Sequence, residues 1–186
     1  HETLGSTYQG LGLLRKAGPH YARSLELRRT ALGENDPDTL LSMVNLANTL
    51  RAEQKFDEAT AMSLTAWEGL KRARGENHRD TLIALALRAQ IEQERGRLAE
   101  AEALFRDVAR LGEAIPADDD QAPMWYSSLG QLLQVKGDLA GAEPHVKRGV
   151  ERALAAFGED HPTTHMCMSA LSQWHMARRE FPQAEE

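Results

Sequence analysis

The chain has 186 residues, 27% of which are charged, and a net charge of -6. This acidic balance offers no general surface for phosphate groups, and no apolar run approaches the roughly 20 residues that cross a membrane, so we expect neither a nucleic-acid nor a membrane partner. The single cysteine, Cys167, excludes an internal disulfide framework and fits the reducing cytoplasm, which is the location we predict.

A polar connector recurs along the chain and marks an internal repeat. Its three copies are LGENDPDT at 32–39, RGENHRDT at 74–81 and FGEDHPTT at 157–164. The connector glycines Gly33, Gly75 and Gly158 lie 42 and 83 residues apart (33 to 75, 75 to 158), so a further copy is expected near residue 116. There the segment AIPADDDQAP at 114–123 keeps the turn residues Pro and Asp. We therefore predict one domain over 1–186, divided into repeats at 1–35, 36–77, 78–118, 119–160 and 161–186.

Each repeat is predicted to be an antiparallel pair of helices. A small residue recurs in the first segment of each repeat: Gly5, Ala47, Ala89, Gly130 and Ser172. A large residue three positions before an alanine opens the second segment: Leu14 and Ala17, Phe56 and Ala59, Leu98 and Ala101, Leu139 and Ala142, Phe181 and Ala184. Small residues let two helix axes approach to about 8–10 Å. The apolar residues follow helical three-and-four spacing, and Pro37 and Pro162 mark helix starts.

These positions resemble the tetratricopeptide repeat, most closely in LGSTYQGLGLLRKA at 4–17. The 42-residue period and the connectors are similar to the kinesin-light-chain subtype. The resemblance covers the chain with about four and a half repeats and implies an all-α, right-handed solenoid of antiparallel helix pairs. Such stacks need capping units, and neither end shows a recognisable one, so we expect further chain on both sides.

The resemblance implies a scaffold that binds a peptide or a partner surface in a concave groove lined by the first helix of each pair. It implies a polar column in that groove, formed by Ser6, Asn48, Gln90, Gln131 and Gln173, with Arg51, Gln93 and Gln134 beside it. Amide side chains offer donors and an acceptor, and can pair with a peptide backbone whatever its sequence. The alternative interpretation is that the column is only a solvated helix face.

The same register places further side chains in the groove: Glu2, Gln9, Leu41, Val44, Ile83, Ala86, Glu94, Met124, Ser127, Val135, Met166, Ser169 and Met176. The charges of Arg51, Glu2 and Glu94 nearly balance, unlike the basic grooves with which related proteins bind terminal carboxylates or acidic cargo peptides. A neutral or weakly apolar partner is therefore expected, with the methionines offering adaptable contacts.

A second functional hypothesis differs in kind. The chain would be a regulatory or self-associating segment of a larger signalling protein or enzyme whose activity lies elsewhere. Exposed repeat ends would bury apolar surface against each other, which predicts self-association.

Catalytic and metal chemistry find little support in the sequence. His161, His165 and Cys167 have helical spacing for a metal site, but His161 lies at a predicted helix cap and no further ligands are near. We expect Cys167 to be a buried thiol and His175 to be a packed core histidine. The acidic stretch ADDDQ at 117–121 is predicted to open a helix. No catalytic motif is present, so we expect neither an enzyme nor a cofactor.

Overall fold

The computed structural model describes residues 1–116 and 119–180, apart from the side chains of residues 14, 179 and 180. Within these ranges the chain forms nine α-helices and no strand. The helices are α1 (Glu2–Gly10), α2 (Leu14–Leu32), α3 (Pro37–Ala52), α4 (Phe56–Arg74), α5 (Arg79–Glu94), α6 (Leu98–Gly112), α7 (Ala122–Val135), α8 (Leu139–Phe157) and α9 (Pro162–Glu180). The prediction of an all-α helical repeat is confirmed.

The recurring connector is a helix stop followed by a helix start. Gly75 and Gly158 end α4 and α8 with φ of +92° and +77°, a conformation that residues with a side chain rarely adopt. Thr81 and Thr164 each donate a side-chain hydrogen bond back to the carbonyl of that glycine, at 2.8 and 2.7 Å. The glycine and threonine of the repeated phrase therefore close the same turn twice.

Each connector also supplies the cap of the next helix. The Asp36 carboxylate accepts a hydrogen bond from the Asp38 N–H at 2.9 Å, which caps α3. His78 and His161 do the same with Nδ1: His78 accepts from the Asp80 N–H and His161 from the Thr163 N–H, each at 3.2 Å. The predicted cap position of His161 is confirmed. A histidine can thus replace aspartate here because a neutral imidazole has one unprotonated nitrogen.

The helices fall into two compact units, His1–Gly96 and the part of the chain from Arg97 onward. In the first unit the core lies between α2, α3, α4 and α5. Its buried apolar side chains are Leu25, Leu40, Met43, Val44, Ala47, Ala59, Ala66, Leu70, Ala84, Leu87 and Ile91. At Gly69 a Cβ would lie 2.7 Å from the Leu40 side chain. Gly69 is not one of the predicted small positions, but Ala47 and Ala59 are, and both lie in this core. At Gly5, another predicted position, a Cβ would lie 2.6 Å from the Tyr21 ring.

The second unit is built from α6 to α9 by the same rule. The largest buried side chains include Phe105, Leu129, Leu133, Val146 and Trp174. A Cβ at Gly130 would lie 2.4 Å from Val146 Cγ1, so α7 and α8 can only pack this closely because this residue is glycine. No helix in the described part of the chain is both long and apolar enough to cross a membrane.

The last described helix departs from two predictions. His175 is exposed, so the prediction of a core histidine is wrong. The neighbouring Trp174 is buried instead, and its Nε1–H donates to the Leu139 carbonyl at 2.8 Å. Consecutive residues point about 100° apart on a helix, so burying one turns the other outward. Ser172 is exposed, unlike the other small residues of the repeat, and Phe181 and Ala184 lie outside the described residues.

Candidate partner-binding faces

In the first unit the predicted polar column follows α1, α3 and α5. Ser6 is exposed, and Asn48, Gln90 and Gln93 are half-buried. The Asn48 side-chain oxygen accepts from Arg51 Nε and Nη2 at 3.1 and 2.9 Å. Its acceptor is therefore already engaged, and only its NH2 group is left to donate to a partner.

An ion pair links two first helices of this unit. Arg51 on α3 pairs through Nη1 with Glu94 on α5, and only 20% of the Arg51 side chain is exposed. Glu2 likewise pairs with Arg28. The predicted balance of charge thus takes the form of internal pairs, and the Arg51 guanidinium is bound on both sides rather than open to a partner carboxylate.

The second unit has a different face. Its column residues are Gln131 and Gln134 on α7, both half-buried, and Gln173 on α9, which is exposed. The α7 sequence APMWYSSLGQLLQV contains no charged residue. Val135, Met166 and Met176 are 66%, 54% and 57% exposed. The surface of α7 and α9 formed by these amide and apolar side chains is called the α7–α9 face below.

One amide of this face is only partly satisfied. Gln134 Nε2 is buried and has no hydrogen-bond partner among the described residues. A buried donor without a partner costs about 1–3 kcal/mol, so a ligand acceptor here would gain the energy of an unmade bond.

Three residues placed in the groove by register are buried instead. Val44 and Ala86 are buried in the first unit, where Val44 belongs to the core, and Ser127 is buried in the second. Ser127 lies at the close approach of α7 and α8: a Cβ at Gly149 would be 2.5 Å from its hydroxyl oxygen. The repeat register predicted the correct helix for these residues. It predicted the wrong face of that helix, because packing against the second helices decides which face is buried.

The residues considered for a metal site serve other purposes. His161 caps α9, His165 is exposed and Cys167 is buried, and burial raises the pKa of the Cys167 thiol. The buried thiol agrees with the prediction. Among the described residues, no three His, Cys, Asp or Glu side chains come together as metal ligands would. Residues 117 and 118 of the acidic stretch lie outside the described residues; Asp119 Oδ1 accepts from the N–H groups of Gln121 and Ala122 just before and at the start of α7.

Comparison with known proteins agrees with this geometry. A tetratricopeptide repeat model matches residues 1–66 and 38–114, and a second tetratricopeptide repeat model matches 124–163. No curated protein matches the chain.

Solved structures with the same fold are distant in sequence. One contains nearly identical TPR-like repeats of a kinesin-light-chain-like protein from Podosopora anserina: identity is 18%, with 99% of this chain and 88% of that chain covered and a TM-score of 0.75. Another is BtubC (BKLC) from P. vanneervenii, with 19% identity, 98% and 73% coverage and a TM-score of 0.72. At such identities the likeness shows the fold alone.

Proposed function

The chain belongs to the tetratricopeptide repeat family, an all-α repeat fold that generally serves as a scaffold for protein–protein interaction, and we propose that it binds an extended, uncharged segment of a partner protein along its first helices. The observation that carries the proposal is the α7–α9 face. Exposed Val135, Met166 and Met176 offer apolar contacts, and methionine adapts its shape to different partners. Gln131 and Gln173 offer hydrogen bonds to a peptide backbone.

The first unit supports the same ligand chemistry. A groove that captures carboxylates needs cationic groups with free donors. Here the Arg51 guanidinium is already bound by Glu94 and Asn48. An acidic peptide would have to displace Glu94, whereas a neutral backbone can use the amides of Gln90 and Gln93 directly. We therefore propose that the unit favours neutral over acidic segments.

A peptide selection tests this function. Twelve-residue random peptides displayed on phage are selected on the immobilised chain, and the affinity of purified binders is measured by fluorescence anisotropy. We expect binders rich in apolar residues and poor in Asp and Glu. Joint replacement of Asn48, Gln90 and Gln131 by alanine should weaken them by about tenfold or more, a loss of roughly 1.4 kcal/mol.

The control replaces three polar residues on second helices: Arg23, Thr65 and Glu151 with alanine, all exposed. This variant should bind normally, and circular dichroism should show equal helicity for both. Acidic binders would contradict the proposed specificity. Equal affinity of the two variants would show that the binding site does not lie on the first helices.

Self-association is a second candidate, favoured by one further observation. Three leucines of the first hairpin, Leu4, Leu11 and Leu13, are exposed. If they associate, light scattering should show a mass that rises with concentration, and joint Leu11→Asp and Leu13→Asp replacement should abolish that rise. A constant monomer mass would exclude the hypothesis. We also propose that the chain acts as a regulatory segment of a larger protein. Its location would be the cytoplasm, which fits the free Cys167.

A further inference from the structure

A cavity of the second unit is lined by residues of α6, α7 and α8. Its volume is about 360 Å³, and it is open to solvent. It is lined by Arg106, Ala109, Arg110, Glu113, Tyr126, Leu129 and His145. Volumes of about 300–1,000 Å³ are typical of small-molecule sites, so the cavity can hold a small ligand rather than a protein segment. We call it the α6–α8 cavity.

Its walls combine an apolar floor with hydrogen-bond donors. Ala109 and Leu129 are buried carbons of the floor. Tyr126 is fully used, because its hydroxyl donates to Glu113 Oε1 at 2.7 Å and lies 3.2 Å from the Ala109 carbonyl. The other oxygen of Glu113, Oε2, pairs with Arg148 and Arg152 at 3.2 and 3.6 Å. The remaining polar groups of the wall are Arg106, Arg110 and His145.

His145 is half-buried, and its ring has no hydrogen-bond partner in the part of the chain that the structure describes. Burial and the nearby charge of Arg106 lower its pKa, so the ring is neutral at pH 7 and has one N–H to donate. The ring nitrogens of His145 are not among the enclosed unsatisfied polar atoms of the described residues, so this donor can face a ligand in the cavity or solvent.

The two arginines keep donors that no acid of their own helix takes. Arg106 bonds Glu102 through Nε and Nη2, at 2.8 Å, and Arg110 bonds Asp107 through Nη2 at 3.0 Å. Each guanidinium carries five N–H groups in a planar fork, so each can also bind a second carboxylate.

Arg110 is also the exception in its column of the repeat. The residue nine positions after the alanine of the second helix is glutamate in the other three: Glu26, Glu68 and Glu151. Only at the α6–α8 cavity is that charge reversed. At this position the cavity therefore has a cation, beside His145 and an apolar floor, where the other three second helices have an acid.

We propose that the α6–α8 cavity binds a small organic carboxylate, with its apolar body on Ala109 and Leu129 and its carboxylate toward Arg106, Arg110 and His145. The inference is independent of the peptide-binding function, because the cavity shares no residue with the predicted groove. It gives the chain a second ligand of a different class.

Phenylacetate is a suitable probe, and phenylacetamide is its uncharged counterpart. The His145 ring is followed by NMR, assigned with a His145→Gln variant, while phenylacetate is titrated into the intact chain. We expect saturable shifts, and an upward move of about half a pH unit or more in the His145 titration midpoint, because a bound anion favours the protonated ring. Phenylacetamide should leave the midpoint unchanged.

Two matched arginine variants locate the site. Arg110→Gln should weaken phenylacetate binding by about tenfold or more, as expected for a lost charge-assisted bond. Arg23→Gln is the control, since Arg23 is also exposed on a second helix and also pairs with an acid three residues away. Joint alanine replacement of Asn48, Gln90 and Gln131 should leave phenylacetate binding unchanged, which separates this site from the groove.

The source of the carboxylate is tested with the peptide Ac-Phe-Glu-NH2 against Ac-Phe-Gln-NH2. Binding of the glutamate peptide with the same loss in Arg110→Gln would support the site with a peptide as carrier of the carboxylate. Binding of phenylacetate alone would support a free metabolite. Equal binding of phenylacetamide, equal shifts with inorganic phosphate, or equal behaviour of Arg110→Gln and Arg23→Gln would each overturn the proposal.

Discussion

Gln54 adopts a backbone conformation that usually requires glycine. It is the only described non-glycine residue with positive φ, at +61°. The equivalent turns use Gly12, Gly96 and Gly137, with φ between +71° and +84°. This conformation costs a residue with a β-carbon about 1 kcal/mol. Gln54→Gly should therefore raise the free energy of unfolding by about 0.5–1 kcal/mol in urea denaturation.

Gln90→Gly is the matched control for this prediction. It makes the same exchange inside α5, where glycine should lower the free energy of unfolding by about 1 kcal/mol. If Gln54→Gly destabilised the chain to the same extent, the turn would not carry the strain inferred from its φ.

The cap at the start of a helix is a second feature that depends on a single residue. His161 caps α9 with an imidazole nitrogen, whereas Asp36 caps α3 with a carboxylate that also interacts favourably with the helix dipole. His161→Asp should raise the free energy of unfolding by about 0.5–1 kcal/mol at pH 7, and His161→Ala should lower it by a similar amount. Thermal denaturation of both variants checks this. A stabilising alanine would show that the imidazole does not act as a cap.

At the scale of elements, the connector between α6 and α7 is held differently from the others. It lacks the repeated phrase, and side chains from α7 and α8 hold it instead. Tyr126 donates to Glu113 at 2.7 Å, Arg148 donates to Glu113 at 3.2 Å, and Arg152 donates to the Ile115 carbonyl at 3.0 Å. Long-range bonds thus add to the local turn bonds and the Asp119 cap of this connector.

This cluster predicts a dependence of stability on pH. The hydrogen bond from Tyr126, followed by that from Arg148, lowers the pKa of Glu113. A carboxyl with a lowered pKa stabilises the fold above its unfolded pKa and loses that effect as pH falls through its folded pKa. Glu113→Gln should therefore be less stable than the parent at pH 7, by less than about 1 kcal/mol because Glu113 is exposed.

The difference should vanish toward pH 3, and urea denaturation at pH 7, 5 and 3 measures it. Glu159→Gln, at an exposed connector position, is the control and should show no such trend. A constant difference at all three pH values would exclude the carboxylate as its cause.

The elements also show what sequence could and could not predict. Spacing and punctuation predicted the helices and the starts of α3 and α9 because these features are local. The contact of Arg152 with Ile115 joins residues 37 positions apart, and no spacing rule reports such a bond. The burial of Trp174 rather than His175 likewise involves a distant partner, because the Trp174 side chain donates a hydrogen bond to the carbonyl of Leu139, 35 residues earlier.

For the whole molecule, periodicity predicted the fold because hairpins within each unit, such as α3–α4 and α7–α8, repeat a close approach at small residues. The binding surface is harder to predict, since repeats that share a backbone differ in which side chains remain exposed. The column of Asn48, Gln90 and Gln131 was placed by register, and its role stays a prediction. The α6–α8 cavity had no sequence signal by itself; only the reversal at Arg110, set beside Glu26, Glu68 and Glu151, distinguishes it.

Stability should vary along such a chain, because each hairpin contacts mainly its neighbours. In α1 only Gly5 is buried, whereas α5 and α7 bury most of their residues. Amide hydrogen exchange should therefore be fastest in α1 and slow in α5 and α7. Gly130→Val, which places carbon atoms where Val146 lies 2.4 Å from a Cβ, should speed exchange in α7 and α8 and leave α3 and α4 unchanged. If all helices responded equally, the chain would unfold as one cooperative body, and the local view of its stability would be wrong.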